Sequence, residues 1–341
     1  MSSLLKTFFA HYLPAVETEL QDLLASAGPP YTDYYNMLHY HMGWLDTALR
    51  LQTGQAGKRV RPVLCMLACE AAGGDVDQAL PAAAGIEILH NFSLLHDDIE
   101  DNSDTRRGRP TVWKLWGRPQ AINAGDGMFA LAHLALARLP ERGVPAERAL
   151  ALLHVLDQTC LALTHGQHLD IRFEDRLDVT VDEYVTMIKG KTAALIATSA
   201  YMGAYLAGVA EKTATYYQDF GYHLGLAFQI QDDILGIWGD ADLTGKSTSS
   251  DIETRKKSLP VVYGLERSPA LRQVYADNEI HPDQVAWIQK TLSELGARQM
   301  AEALAAEHHQ NAVEALERSG AAGEAAQALR EFAANLLTRV S

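Results

Sequence analysis

The stretch QALPAAAGIEILHNFSLLHDDIED, Gln78 to Asp101, decides the fold class. Its apolar residues recur at three- and four-residue spacing, and nothing in it alternates at period two. It ends in a cluster of acids, Asp97, Asp98, Glu100 and Asp101. That pattern predicts a long helix with an apolar body and an acidic end. Working outward, the same period predicts helices over Leu4–Ser26, Thr32–Gln52, Arg61–Gly73, Pro119–Arg138, Ala146–Leu169, Val181–Ala207 and Glu211–Gly236. Pro260–Glu266, Pro282–Leu295, Ala297–Ser319 and Glu324–Val340 follow. Helix breakers mark the joints at Gly28-Pro29-Pro30, Gly73-Gly74-Asp75, Pro140 to Pro145 and Gly320 to Gly323. The class is all-α, and no linker or short-period repeat divides residues 1–341 into more than one domain.

Composition narrows the function. The chain has 341 residues, 48% hydrophobic and 21% charged, which is a globular balance. Its 43 acidic against 29 basic residues leave a net charge of −14, the wrong sign for a duplex nucleic-acid binder. No apolar run reaches the roughly 18 residues of a spanning helix. Met1 to Leu24 carries Glu17, Glu19 and Asp22 in an amphipathic pattern, unlike a cleavable signal peptide. Three cysteines cannot all pair, and Cys65 and Cys69 sit at helical spacing in an apolar stretch. Buried thiols in a reducing compartment are expected, hence a soluble, cytoplasmic protein.

Three polar segments interrupt the helices: Gln55–Pro62 with Lys58, Arg59 and Arg61; Asn102–Thr111 with Arg106, Arg107 and Arg109; and Gly239–Ser258 with Lys246, Arg255, Lys256 and Lys257. One such segment is an ordinary solvated loop. Three, in an acidic protein and each placed to reach a carboxylate motif, point to a phosphate site. A helix stacks Asp97 and Asp101 on one face about 6 Å apart, a repulsive arrangement unless a cation lies between them. A hard divalent ion with oxygen ligands, such as Mg²⁺, fits. The alternative, a solvated acidic helix end, opposes the helix dipole without evident gain. Gln231-Asp232-Asp233-Ile234 repeats the arrangement after another long apolar helix, so two pairs can face each other across a bundle cavity. His90 lies almost directly below Asp97 on the same helix face. Arg forks suit phosphate oxygens, and Gly108 is expected to let the backbone approach the ligand closely. Cations and metal-binding acids around one cavity spell a diphosphate.

In these motifs the chain resembles the trans-isoprenyl diphosphate synthases, which elongate allylic diphosphates with isopentenyl diphosphate. Their first aspartate-rich motif with its RRGxPT tail stands at Asp97 to Asp101 and Arg106 to Thr111. GKxxRP stands at Gly57 to Pro62, and the second aspartate-rich motif at Gln229 to Asp233. Gly166-Gln167, Lys191-Thr192, Ala121 to Asp126 and Gly245-Lys246 to Lys256 also match, so the resemblance covers roughly residues 40–265 in order. It implies one large antiparallel bundle around a central active-site cavity, a homodimer, and a Mg²⁺-dependent prenyltransferase.

Position by position, the resemblance implies that Asp97 and Asp101 ligate two Mg²⁺ ions and Asp232 a third, supported by Asp98 and Asp233. Arg106, Lys191, Gln229, Lys246 and Lys256 would hold the allylic diphosphate, and Lys58, Arg61, His90 and Arg107 the isopentenyl diphosphate. Gln167 and Thr192 would turn oxygen dipoles toward the developing allylic cation, so that Lys191, Thr192, Gln229 and Gln167 form the catalytic group. Closure of Gly239–Ser258 over bound diphosphate would keep water out. The second motif departs from the family where Gly236 stands for a third Asp, which leaves the ordering of water around the third ion open. Product length depends on the pocket below the first motif, where the residues four and five positions before Asp97 are Ser93 and Phe92. A small and an aromatic residue there resemble the type that makes C20 geranylgeranyl diphosphate from C5 to C15 primers. Phe92 lies about 140° around an ideal helix from Asp97 and Ser93 about 40°, so geometry alone favours Ser93 as pocket lining. C15 and C25 products, a class I terpene cyclase and a non-catalytic subunit remain as alternatives. A cyclase has no use for a second diphosphate subsite, and a regulatory subunit has none for intact Asp pairs.

Overall fold

A computed structural model describes residues 3–52, 54, 57–239, 249–277 and 279–337. The helices are α1 (Ser3–Leu23), α2 (Thr32–Met42), α3 (Val60–Ala71), α4 (Val76–Glu100), α5 (Val112–Trp116), α6 (Arg118–Ala137), α7 (Ala146–Glu174) and α8 (Val181–Ile188). They continue as α9 (Ala194–Leu206), α10 (Glu211–Trp238), α11 (Ser250–Glu253), α12 (Leu259–Arg267), α13 (Pro269–Ala276), α14 (Pro282–Glu294), α15 (Ala297–Arg318) and α16 (Gly323–Leu337). The all-α expectation holds. Asp75 caps α4 by accepting from the Asp77 N–H at 3.0 Å, satisfying one of the helix's orphan donors. From there α4 packs against α3, α6 and α9, and α10 lies between α9 and α15.

Four local expectations are corrected. The helix expected over Thr32–Gln52 stops at Met42, because Gly43 takes a left-handed C-cap (φ 86°) and the chain turns back through a Leu45–Leu51 bridge. The helix expected over Val181–Ala207 is interrupted by a π-helical turn at Lys189–Ala193, the turn that carries Lys191 and Thr192. The RRGRP segment is a tight antiparallel hairpin, Thr105–Arg106 against Arg109–Pro110, with both turn residues at positive φ (Arg107 52°, Gly108 71°). A Cβ on Gly108 would meet nothing within 4 Å, so this glycine serves the turn's conformation rather than close approach to a ligand. Finally, α5, α11 and α13 were not expected; at one or two turns they are too short to show a period.

The motif-free residues beyond 270 have a structural role. Ala301 and Ala305 of α15 pack on Leu226 and Ile230 of α10, and Leu271, Tyr275, Ile288 and Leu292 cover Ile237 and Ile252. They wall off the side of α10 behind the second Asp pair. Among the described residues, no helix is long and apolar enough to cross a membrane.

Candidate active site

The first Asp motif closes α4. Asp98 is buried and accepts from Arg106 Nε at 2.7 Å, while Asp97 takes Arg106 Nη2 at 3.3 Å and Lys191 Nζ at 3.2 Å. Lys191 also pairs with Asp170 of α7, a residue the sequence analysis missed. Its spacing from Gly166-Gln167, one helical turn further on the same face, was the available signal. Burial disfavours the Lys191 ammonium, but Asp170 and Asp97 more than offset this and hold it charged. Gln167 donates to Glu100 Oε2 at 2.7 Å, so α7 is tied to the acidic end of α4 once directly and once through Lys191.

Close backbone contact sets Lys191 there. A Cβ on Gly166 would lie 2.1 Å from the Lys191 amide nitrogen, and one on Gly190 would lie 2.5 Å from the Ala162 carbonyl. Glycine at both positions lets α7 touch the π-helical turn, and the extra residue of that turn re-aims the Lys191 and Thr192 side chains. Thr192 Oγ1 donates to Gln229 Oε1 at 2.8 Å, and Gln229 Nε2 donates to Asp233 Oδ1 at 3.1 Å. Asp233 is fully buried and also accepts from Tyr184 OH and from the Leu259 N–H at 3.0 Å. Asp232, its neighbour, is exposed.

Gly236 is explained by its surroundings. The Asp251 carboxylate of α11 fills the space where a side chain at 236 would begin, 2.4 Å from an added Cβ, and Lys256 Nζ stands 3.8 Å from both Asp251 and Asp233. Replacing Gly236 with alanine is therefore expected to push the Asp251 carboxylate off Lys256 at little cost in stability, because a side-chain tip can swing aside. Gly236→Asp should be slower than the parent in steady-state kinetics; a faster enzyme would mean that the motif lacks an acid at 236.

A second group of cations lies beside the first motif. A Cβ on Gly57 would come within 2.9 Å of the Arg107 guanidinium, so the GK and RRG segments meet. Arg61 has its Nε buried without a hydrogen-bond partner, and burial together with Arg107 lowers its pKa against the pull of Glu87. Burial and the neighbouring Arg61, Arg107 and Arg106 hold the His90 imidazole neutral. Lys58 is exposed. His41 of α2 is a further member of this group that the sequence analysis missed. Its buried Nε2 has no hydrogen-bond partner, and burial with Arg106 and Arg107 lowers its pKa to about 3. No local signal marks it, since only the packing of α2 brings it here. Lys246 lies outside the described residues, as does 240–248 of the segment expected to close. At the expected chain-length positions, Ser93 Oγ donates to the His90 carbonyl at 2.8 Å, and Phe92 packs edge-on against His96 and on Phe129 of α6.

The donor chemistry fits a divalent metal ion. Asp101, exposed at the helix end, is pushed up to about 6 by partial desolvation of its carboxyl and by the charges of Asp97, Asp170 and Glu174, against the pull of Lys191, a crowd of carboxylates that calls for positive charge. Among the described residues no three carboxylate, imidazole or thiol groups close around one point. That suits an ion bound through one or two carboxylates plus substrate phosphates, as Mg²⁺ commonly is.

Carboxylates gathered around Lys191, with under-partnered guanidinium groups beside them in an all-helical bundle, define an enzyme class that works on organic diphosphates. Comparison with known proteins narrows the class. The polyprenyl synthetase profile matches residues 42–292. The chain is 38% identical over 311 residues to the (2E,6E)-farnesyl diphosphate synthase of Mycobacterium bovis, covering 89% of this chain and 85% of that one. It is 43% identical over 241 residues to the geranylgeranyl diphosphate synthase of Mycobacterium tuberculosis, covering 70% and 68%. The polyprenyl synthetase of Streptomyces coelicolor A3(2) superposes with a TM-score of 0.89 at 36% identity, over 97% of this chain and 99% of that one. The chain belongs to the polyprenyl synthetase family and is a trans-prenyltransferase.

Proposed function

We propose that the enzyme condenses isopentenyl diphosphate with C5 to C15 allylic diphosphates to make C20 geranylgeranyl diphosphate, releasing diphosphate, as a single-domain homodimer using three Mg²⁺ ions. The observation that carries this reading is a second cation group beside a carboxylate site: Arg61, whose Nε is buried without a hydrogen-bond partner, with Arg107 and neutral His90. A guanidinium nitrogen buried without a hydrogen-bond partner, with a second guanidinium beside it, calls for an anionic ligand, and a reaction joining two diphosphates needs two such places. Apolar side chains exposed on α6 and α7, among them Ile122, Phe129, Leu134 and Leu150, support a homodimer. Three buried, unpaired cysteines support a reducing, cytoplasmic setting.

In this reading Asp97, Asp101 and Asp232 hold the ions. A bound divalent ion would neutralise the leaving diphosphate and polarise its C1–O bond. Arg106, Lys191 and Lys256 add fixed positive charge toward the same oxygens, preorganised by their carboxylate partners. As C1 becomes cationic, Thr192, whose hydroxyl donates its hydrogen bond to Gln229, keeps oxygen lone pairs to face the positive charge; Gln167, whose amide nitrogen donates to Glu100, is placed to turn its carbonyl oxygen the same way. Lys58, Arg61, His90 and Arg107 orient isopentenyl diphosphate so that its double bond attacks C1. The C1–O bond breaks, a C–C bond forms, and a proton passes to the departed diphosphate, leaving a trans allylic product one unit longer.

The farnesyl relative keeps a C15 product as the second reading. With Mg²⁺, labelled isopentenyl diphosphate and C5, C10 or C15 primers, label is expected in a C20 alcohol after dephosphorylation. A C15 or C25 endpoint would retain the mechanism and remove the Phe92 and Ser93 argument. Consumption of the primer to a hydrocarbon without incorporation would mean a cyclase.

A further inference from the structure

The sequence places Arg59 between two expected phosphate-binding cations, Lys58 and Arg61, yet the structure turns it away from them. Arg59 is 3% exposed and uses its guanidinium as a three-way strut. Nε donates to Glu17 Oε1 of α1 at 2.7 Å, Nη1 to Glu87 Oε1 of α4 at 2.9 Å, and Nη2 to the Met42 carbonyl at the end of α2 at 3.1 Å. Both acids are themselves anchored. Glu17 Oε2 accepts from Trp44 Nε1 at 2.9 Å, and Glu87 Oε1 accepts from Asn91 Nδ2 at 3.0 Å. Arg59 is also the N-cap of α3, in the left-handed region at φ 45°, so the strut sets the backbone from which Lys58 and Arg61 depart.

Burying two ion pairs is a poor route to stability, because apolar residues of similar volume do as well or better. The network therefore calls for a role in geometry or charge. Glu87 supplies both. It is 3% exposed and lies one helical turn before His90 on α4. Its charge acts on Arg59, Arg61 and Arg107 together. Three guanidinium groups gathered at one place repel each other unless an anion sits among them. Glu87 is the acid whose charge reaches all three.

We infer that Glu87 and Glu17, acting through Arg59, are positioning residues of the isopentenyl diphosphate subsite: the N-terminal helix α1 and the body of α4 clamp Arg59, and the clamp aims Lys58 and Arg61 while Glu87 keeps Arg61 and Arg107 gathered. Neither acid touches substrate. The inference rests on the reading of Lys58, Arg61, His90 and Arg107 as that subsite.

The test is two-substrate steady-state kinetics with Mg²⁺ on Glu17→Gln, Arg59→Lys and Glu87→Gln, with thermal unfolding of each. A lysine keeps the charge but cannot reach three elements at once. KM for isopentenyl diphosphate is expected to rise about tenfold, the equivalent of one mis-set charge-assisted hydrogen bond. KM for the allylic primer should stay within about twofold, since Lys191 and the Asp motifs are untouched. Glu17→Gln is the decisive variant if Glu87→Gln does not fold, because Glu17 lies at the outer, partly exposed end of the clamp. A lower melting temperature with both KM values unchanged would reduce the clamp to a structural brace and overturn the inference. Tighter isopentenyl diphosphate binding in Glu87→Gln would also overturn it, showing Glu87 only as a repulsive charge. Failure of the parent enzyme to use isopentenyl diphosphate at all would instead bring down the subsite reading, and this inference with it.

Discussion

Replacing Gly166 with alanine is expected to lower kcat by about 10²- to 10³-fold without unfolding the protein. The new methyl carbon would sit 2.1 Å from the Lys191 nitrogen and 2.8 Å from the carbonyl carbon of Gly190, and backbone atoms cannot swing aside as a side-chain tip can. The reciprocal contact of Gly190 with Ala162 prevents α7 and the π-helical turn from simply sliding, so the turn must move outward. Lys191 would then lose its bridge between Asp97 and Asp170, and a displacement of about 1 Å at such a group costs about 10²-fold. Overpacking adds about 1–3 kcal/mol of instability, so rates belong well below the melting temperature, with helicity followed by circular dichroism. A folded Gly166→Ala enzyme within about threefold of the parent would show that Lys191 does not stabilise the leaving group.

Asp97→Asn is expected to reduce kcat by about 10³-fold, corresponding to roughly 4 kcal/mol of lost transition-state stabilisation. The amide is nearly isosteric but gives up the charge that would hold a divalent ion and that now pairs with both Lys191 and Arg106. A Mg²⁺ titration separates this from a loss of fold. The concentration giving half-maximal rate should rise in the variant, and a chelator should abolish activity in the parent. An Asp97→Asn enzyme with the parent's rate and Mg²⁺ dependence would remove Asp97 from the metal-binding set.

Much of this site is legible without coordinates because its chemistry is carried by short local motifs. Asp97 and Asp101, or Arg106 and Arg107, announce themselves by spacing along one helix or one turn. His90 falls below the Asp pair for the same reason. What stays illegible is what each charge meets across the bundle. Arg59 and Arg61 read alike as cations of one joint, yet one is spent on Glu17 and Glu87 while the other has a buried nitrogen unpartnered. Gly236 reads as a missing acid, whereas its surroundings hold the acid already, in Asp251.

The sequence by itself determined the all-helical class, the two aspartate pairs, the cationic joints and the family, since helical period and motif spacing are properties of neighbours along the chain. Only the tertiary structure decided that Val181–Ala207 breaks at a π-helical turn, that Asp170 shares Lys191 with Asp97, that His41 joins the arginines, and that Arg59 is a strut rather than a ligand. Each depends on burial and pairing between segments far apart in sequence, where desolvation makes an unpaired charge costly and a paired one immobile, and no local pattern records which partner folding will supply.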